Sequence, residues 1–376
     1  MVIRLGIIGL SADPQAWATM AYVAPIKGAL ASHYKITAIA TSSPETAKAS
    51  AKAHGLPEEK AYSNPEDIAN DPDVDMVVVS VKAPMHKQLT MPALKAKKDV
   101  FVEWPLGSSL QEAQEMAELA KKQGVRNFVM LQARTQPVFV KAKEIVQSGV
   151  LGRITSTMVL GSDSQLMNLP EKARYVNDPA SGVSMISILV AHTLDVILYV
   201  LCSELGSLTA QAAITHPTIR FLSPTGALSD PEPKLHADNI TVSGLLTPGD
   251  AVLNYQYLIT TPATPSMFQW IISGEKGALK MEGTTFAVQA KPPKLYFAKP
   301  SEDDGNKGGG GAEWKEMEVP VSKLGGVGGV AEVYQGIAEG KGIDDGIVDF
   351  EEGVKRRKMV DAITKSANDG TRESYL

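Results

Sequence analysis

Short apolar runs that alternate with helix-period segments fill the first third of this chain and leave few folds open to it. The runs lie at residues 3–8, 36–40, 76–81, 100–102 and 127–131, with helical patterns at 15–30, 44–54, 65–70, 85–96 and 110–123 between them. They are apolar without alternation, as parallel strands buried on both faces are. Parallel neighbours need a crossover connection, so the pattern predicts an α/β domain with a doubly wound parallel sheet. Two helix starts are legible in the residues. Ser43-Pro44-Glu45 and Ser63-Asn64-Pro65-Glu66 each place a cap before a proline, whose missing N–H is no loss in a first turn.

Near residue 133 the pattern changes. A helix at 136–148 ends on Gly149, and β-like runs follow at 154–160, 207–214, 239–246, 251–258, 268–273, 278–282 and 286–290. Turn signals such as Thr247-Pro248-Gly249-Asp250 and Gly274-Glu275-Lys276-Gly277 separate several of them, which predicts one large, mostly antiparallel sheet. A strongly apolar helix at 183–202 interrupts the strands, and helices at 330–339 and 350–366 complete an α+β remainder. With 376 residues the chain exceeds one ordinary core. The division expected is a Rossmann domain at 1–132 and an α+β domain at 133–376. Residues 301–311 are polar, end in four glycines and read as a loop.

Composition removes several function classes. The net charge of -5 offers no nucleic-acid or acidic-lipid surface. The basic run Lys355-Arg356-Arg357-Lys358 reads as a charged helix face. Cys202 is the single cysteine, which excludes a disulfide framework and fits a reducing compartment. The six histidines show no metal-ligand spacing, so no metal is expected. The chain begins on a strand, and its longest apolar runs, near 76–81 and 196–201, are short for a membrane span. A cytoplasmic location is expected, or a nuclear one for a regulator.

The first strand runs into Gly9-Leu10-Ser11-Ala12-Asp13-Pro14-Gln15-Ala16-Trp17. Dinucleotide-binding loops carry glycine-x-glycine-x-x-glycine so that backbone can approach a pyrophosphate. Only Gly9 remains of that pattern, with Ser11 and Ala12 at the later positions. Place supports the reading: the loop ends a strand and opens a helix, whose amides and dipole hold phosphate. The second strand ends in Thr41-Ser42-Ser43, without the acid that would bond a ribose 2′-hydroxyl. A carboxylate would repel a 2′-phosphate and these hydroxyls would not. The cofactor expected is therefore NADP, with NAD as the alternative.

Four later segments carry a family resemblance: Ser80-Val81-Lys82-Ala83-Pro84-Met85-His86, Val102-Glu103-Trp104-Pro105, Gln132-Ala133-Arg134-Thr135-Gln136-Pro137 and Gln147-Ser148-Gly149-Val150-Leu151-Gly152. In order and spacing they resemble the glucose-fructose oxidoreductase/inositol dehydrogenase (Gfo/Idh/MocA) family. Trp17, Glu103-Trp104, Gly182-Val183 and Ala191-His192-Thr193-Leu194-Asp195 are similar to its fungal branch, which contains the NAD(P)-binding repressor of galactose genes. The resemblance implies hydride transfer between the cofactor and a hydroxyl, carbonyl or imine carbon of a small molecule. It also implies a homodimer through the C-terminal sheet. Gly9, Ser11, Ala12, Trp17, Thr41, Ser42, Ser80, Lys82, His86, Glu103, Trp104 and Gln132 become the expected cofactor residues. Family dehydrogenases carry glutamate-lysine-proline where this chain has Glu103-Trp104-Pro105, and tryptophan has no proton to relay. They also place aspartate four residues before a histidine, where this chain has Ile188 and His192. His192, Tyr175 and Lys172 are left as candidate proton donors. The alternative is a non-catalytic dinucleotide-binding regulator that acts on a protein partner.

Overall fold

The computed structural model describes residues 2–299, 313–325 and 327–376, and these group into two units. The first holds residues 1–135 and 322–357, the second 136–321 and 358–376. The segment 322–357 thus groups with the first unit, where the sequence reading had assigned it to the C-terminal domain. The long-range contacts responsible leave no local signal. Tyr334, on the helix Val330–Ala338, stacks on Phe101 with ring centroids 5.2 Å apart. The glycine-rich segment 301–311 lies outside the described residues.

The first unit is a parallel sheet of β1 (Ile3–Ile8), β2 (Tyr34–Ala40), β3 (Ala61–Tyr62), β4 (Met76–Val79), β5 (Asp99–Glu103) and β6 (Asn127–Met130), in the order β3-β2-β1-β4-β5-β6. That is the dinucleotide-binding order, with its switch point between β1 and β4. The crossovers are α1 (Ala24–Lys27), α2 (Pro44–His54), α3 (Pro65–Asn70), α4 (His86–Lys95) and α5 (Leu110–Gln123). Ser43, Asn64 and Ser109 cap α2, α3 and α5 by accepting from backbone N–H groups of the first turn.

The helix that follows β1 is irregular. Thr19–Val23 forms a π-turn immediately ahead of α1. Pro25 supplies the cause, since it cannot donate to the Ala21 carbonyl and its ring would strike it. Widening the turn relieves both problems.

Among the described residues the second unit carries α6 (Pro137–Gln147), α7 (Ala191–Leu201) and eleven strands: β7 (Ile154–Asp163), β8 (Asn168–Pro170), β9 (Glu204–Ala213), β10 (Thr218–Leu222), β11 (Glu232–Pro233), β12 (Asn239–Thr247), β13 (Val252–Ile259), β14 (Met267–Gly274), β15 (Ala278–Gly283), β16 (Lys294–Ala298) and β17 (Lys315–Glu316). Eight of them form a sheet in the order β17-β16-β15-β14-β7-β13-β12-β9. All of its pairs are antiparallel except β7 with β13. Strand burial alternates, so one face is covered and the other, with Met158, Leu245 and Val252, is open. The helical stretch Pro179–Leu201 is long and apolar enough to cross a membrane, which the sequence reading had missed. Its apolar window is 83% buried inside the protein, as a core helix is.

Residues 286–290 are not a strand. Phe286 fills the space a side chain at Gly161 would take, with a Cβ there only 1.8 Å from the ring. The sheet continues instead through β16.

Candidate functional site

At the switch point the turn after β1 meets the end of β4. Gly9 has φ +95°, and its N–H donates to the Ala40 carbonyl at 2.9 Å. A Cβ on Gly9 would sit 2.1 Å from the Ser80 carbonyl oxygen, so only glycine fits. The next residues lack the usual glycines and are held by side chains. Ser50 Oγ donates to the Leu10 carbonyl at 2.7 Å, and Thr19 Oγ1 to the Ser11 carbonyl at 3.1 Å. His54 Nε2 donates to the same Ser11 oxygen at 2.8 Å. The loop's carbonyls are thus engaged by α2 and the π-turn helix. Ser50, Thr19 and His54 were missed in the sequence, where nothing marks them as neighbours of the loop.

Beside this loop lies a cleft of about 650 Å³, made entirely of first-unit residues and within the usual size of a cofactor site. Gly9, Ser11, Ala12, Thr41, Ser42 and Thr46 line it, with Val81, Met85 and Leu89 opposite. No lining residue is charged. At the β2 end Thr41 and Thr46 share a hydrogen bond of 2.7 Å, and Ser43 caps α2. These residues fit a dinucleotide: a backbone cradle closed by Gly9, a neutral hydroxyl-rich end, and apolar walls for a base.

Glu103 ends β5, the strand beside β4, and does not itself line this cleft. Trp17 Nε1 donates to its Oε1 at 2.6 Å, Tyr22 OH donates to the same oxygen, and Ser80 Oγ lies at 3.4 Å. Trp17 and Tyr22 are five residues apart, which in an α-helix puts them roughly 140° apart. The π-turn brings residues five apart into line and lets both reach one carboxyl group. Tyr22 was missed in the sequence; Pro25 in a helical stretch was its only signal. Burial pushes the Glu103 carboxyl up to about 7, against the Trp17 N–H, which favours the anion.

Trp104 is buried and precedes Pro105 in a cis peptide. His86 is also buried, with Nδ1 2.8 Å from the Pro105 carbonyl and Nε2 3.1 Å from the Val81 carbonyl. Both nitrogens face backbone carbonyl oxygens, of which a neutral imidazole can donate to only one, so His86 is packed between the β4 and β5 loops. Burial also holds it below the usual histidine range. Lys82 is exposed at the start of the turn Ala83–Met85. Gln132 is buried after β6, and its Oε1 lacks a protein partner among the described residues.

The three candidate proton donors belong to the second unit. His192 is buried on α7, and that burial lowers its pKa to about 4 although Asp195 works the other way. It is therefore neutral at physiological pH. Tyr175 and Lys172 share the helical segment Glu171–Asn177. Tyr175 packs on Leu169, Val176, Ile219 and Phe221, and burial raises its hydroxyl, whereas Lys172 is exposed. Sequence reading overlooked Asp238, which is fully buried and accepts from Lys234 Nζ at 2.9 Å and Thr215 Oγ1 at 2.8 Å.

Fold and cleft together define an oxidoreductase-type dinucleotide-binding protein with a second, sheet-based domain. Residues 3–131 match the Gfo/Idh/MocA oxidoreductase family with NAD-binding Rossmann fold, and residues 137–283 match the C-terminal domain of Gal80p. The dehydrogenase aclE of Aspergillus oryzae is 37% identical over 374 residues, covering 99% of this chain and 98% of that one. The galactose/lactose metabolism regulatory protein GAL80 of Saccharomyces cerevisiae is 27% identical over 307 residues, 79% of this chain and 70% of that one. The crystal structure of its super-repressor mutant E351K superposes with a TM-score of 0.86 at 23% identity, covering 100% and 98% of the two chains. This chain belongs to the Gfo/Idh/MocA oxidoreductase family and has a Gal80-like fold.

Proposed function

We propose that this protein is an NADP-dependent oxidoreductase that transfers hydride to or from a hydroxyl, carbonyl or imine carbon of a small molecule such as a sugar or a secondary metabolite. The observation that carries the reading is the cleft at the switch point, closed by Gly9 against Ser80 and free of charged side chains. The full-length similarity to a dehydrogenase supports it. A bound nicotinamide cofactor supplies the hydride chemistry. Gly9, Ser11 and Ala12 would hold its pyrophosphate, Thr41 and Ser42 its ribose end, and Glu103, Trp104 and Gln132 would flank the ring. Tyr175 keeps its proton at neutral pH and suits the donor role, with His192 as a neutral hydrogen-bonding partner. A panel of sugars, ketones and imines with NADPH, read by nicotinamide absorbance, tests the activity. Cofactor oxidation that depends on one substrate class and falls at least ~10-fold in Tyr175→Phe is expected. No turnover with any class would sink the enzymatic reading.

NADP over NAD rests on the missing acid at the end of β2. Introducing one, Ser42→Asp, places a carboxylate where a 2′-phosphate would lie. The variant should bind NADPH ~10–100-fold more weakly and NADH about as well as the parent. An unchanged ratio of the two affinities would refute NADP preference.

Trp104 favours a second reading. It stands where family dehydrogenases have a lysine, is buried, and carries no transferable proton. A regulator that binds NADP and answers through a protein partner would leave the substrate panel silent. It would instead capture an acidic activation segment in a cofactor-dependent manner.

A further inference from the structure

The second unit holds a cavity of its own, lined by β8, β10, the segment 171–177 and the stretch between β11 and β12. Leu169, Val176, Ile219 and Ile259 make a buried apolar floor, and Leu166 and Met185 a half-buried apolar rim. Its volume of about 20 Å³ is room for one water-sized group. Two polar residues of the lining have bonding capacity to spare. Lys234 is buried, and among the described residues its ammonium makes one hydrogen bond, to Asp238 at 2.9 Å, of the three it can donate. Asp238 has nothing left to offer, because Thr215, His216 and Lys234 already occupy both of its oxygens. His236 Nε2 is shut off from solvent without a partner among the described residues, while the other ring nitrogen bonds the backbone of Asp178. Burial lowers the pKa of this histidine and keeps the ring neutral, so with the proton on the Asp178 side Nε2 is an acceptor.

A spare donor and an orphaned acceptor on one small space select among ligands. A carboxylate would set an oxygen against the His236 lone pair and bring a second anion toward Asp238. A carbonyl would answer Lys234 alone, and an ammonium would be repelled by it. A hydroxyl group answers both, accepting from Lys234 Nζ and donating to His236 Nε2. Water has the same two capacities, but also a second proton and a second lone pair that apolar walls leave unmatched. An apolar body in place of that second proton fits the walls. We infer that the second unit binds a small alcohol or phenol here, its hydroxyl held between Lys234 and His236 and its apolar body against Leu166 and Met185. The site does not rest on the cofactor reading, since every residue lining this cavity belongs to the second unit and every residue lining the cofactor cleft to the first.

Ligand-observed NMR on the full chain tests this with phenol and three probes of similar size: anisole, which accepts but cannot donate, toluene, which does neither, and benzoate. Phenol should bind saturably with a dissociation constant on the order of a millimolar, and each of the others at least ~10-fold more weakly. His236→Phe keeps a flat ring and removes the acceptor. It should weaken phenol by ~10-fold and leave toluene within about twofold. Lys234→Met removes the donor and should weaken phenol to a similar degree; where the unpaired Asp238 prevents folding, His236→Phe and the probe series decide the matter. Toluene binding as well as phenol would mean an apolar crevice, and benzoate binding best would mean an anion site. Unchanged phenol affinity in His236→Phe would place the binding elsewhere, and no phenol binding would leave the cavity to water alone. Each of these four results overturns the inference.

Discussion

Gly9→Ala should cost this protein its dinucleotide affinity, by ~100-fold or more, together with about 3 kcal/mol of stability. Two independent effects combine there. The residue has φ +95°, a conformation that costs any side chain of L configuration. Its Cβ would also stand 2.1 Å from the Ser80 oxygen and 2.7 Å from Val81 Cγ1. The first of these neighbours is backbone at the end of a central strand and cannot rotate away. Relief requires β1 and β4 to part at the point where the cleft begins, which destroys the surface a pyrophosphate would rest on. Gly55→Ala is the matched control. It has φ +75° but nothing within 4 Å of the added carbon, so it should cost about 1 kcal/mol and leave binding untouched. Fluorescence titration with NADPH and thermal unfolding of both variants measure the contrast. Parent-like affinity in Gly9→Ala would mean that the cleft beside it is not the dinucleotide site.

The elements read correctly from sequence are those whose ends are fixed by local chemistry. The ranges 44–54, 65–70 and 110–123 are reproduced because Ser43, Asn64 and Ser109 accept from first-turn amides and Pro44 and Pro65 sit where no N–H is needed. Errors arose where spacing alone was informative. Trp17 and Tyr22 fit neither the helical nor the strand period, since a π-turn aligns them. Residues 286–290 carry the apolar content of a strand, but Phe286 is used as a plug over Gly161. The helix Val330–Ala338 gives no sign that its Tyr334 will join Tyr22, Tyr34 and Phe101 in one aromatic cluster. The cofactor end of the site was legible for the same reason as the helices: a strand, a glycine and a helix start lie consecutively in the chain. The clamp on Glu103 draws on three separate elements and only the fold assembles it.

Asp238→Ala should lower stability by ~3–5 kcal/mol while leaving cofactor affinity within about twofold. Asp238 is fully buried and accepts from the backbone N–H of Thr215 at 2.7 Å, from Lys234 Nζ at 2.9 Å, and from His216 N and Nδ1 at 3.0 and 3.1 Å. Burial alone would raise this carboxyl, but the Thr215 and Lys234 hydrogen bonds outweigh it and hold the group at about 2. A carboxyl whose folded value lies below its unfolded value of about 3.9 stabilises the fold above about pH 4 and loses that contribution as pH falls toward about 2. The pH dependence accounts for about 2–3 kcal/mol at neutrality. The remainder comes from Lys234, itself buried, which the substitution leaves as an unpaired charge. Removing both charges, as in the Asp238→Ala/Lys234→Met double variant, should therefore recover part of the loss, and a double-mutant cycle by denaturant unfolding measures how much. Additive losses would show that the pair is not coupled. Affinity should hold because every residue lining the cleft belongs to the first unit, whereas Asp238 and its partners belong to the second. A cofactor loss as large as the stability loss would mean that the dinucleotide cleft depends on the second unit for its shape.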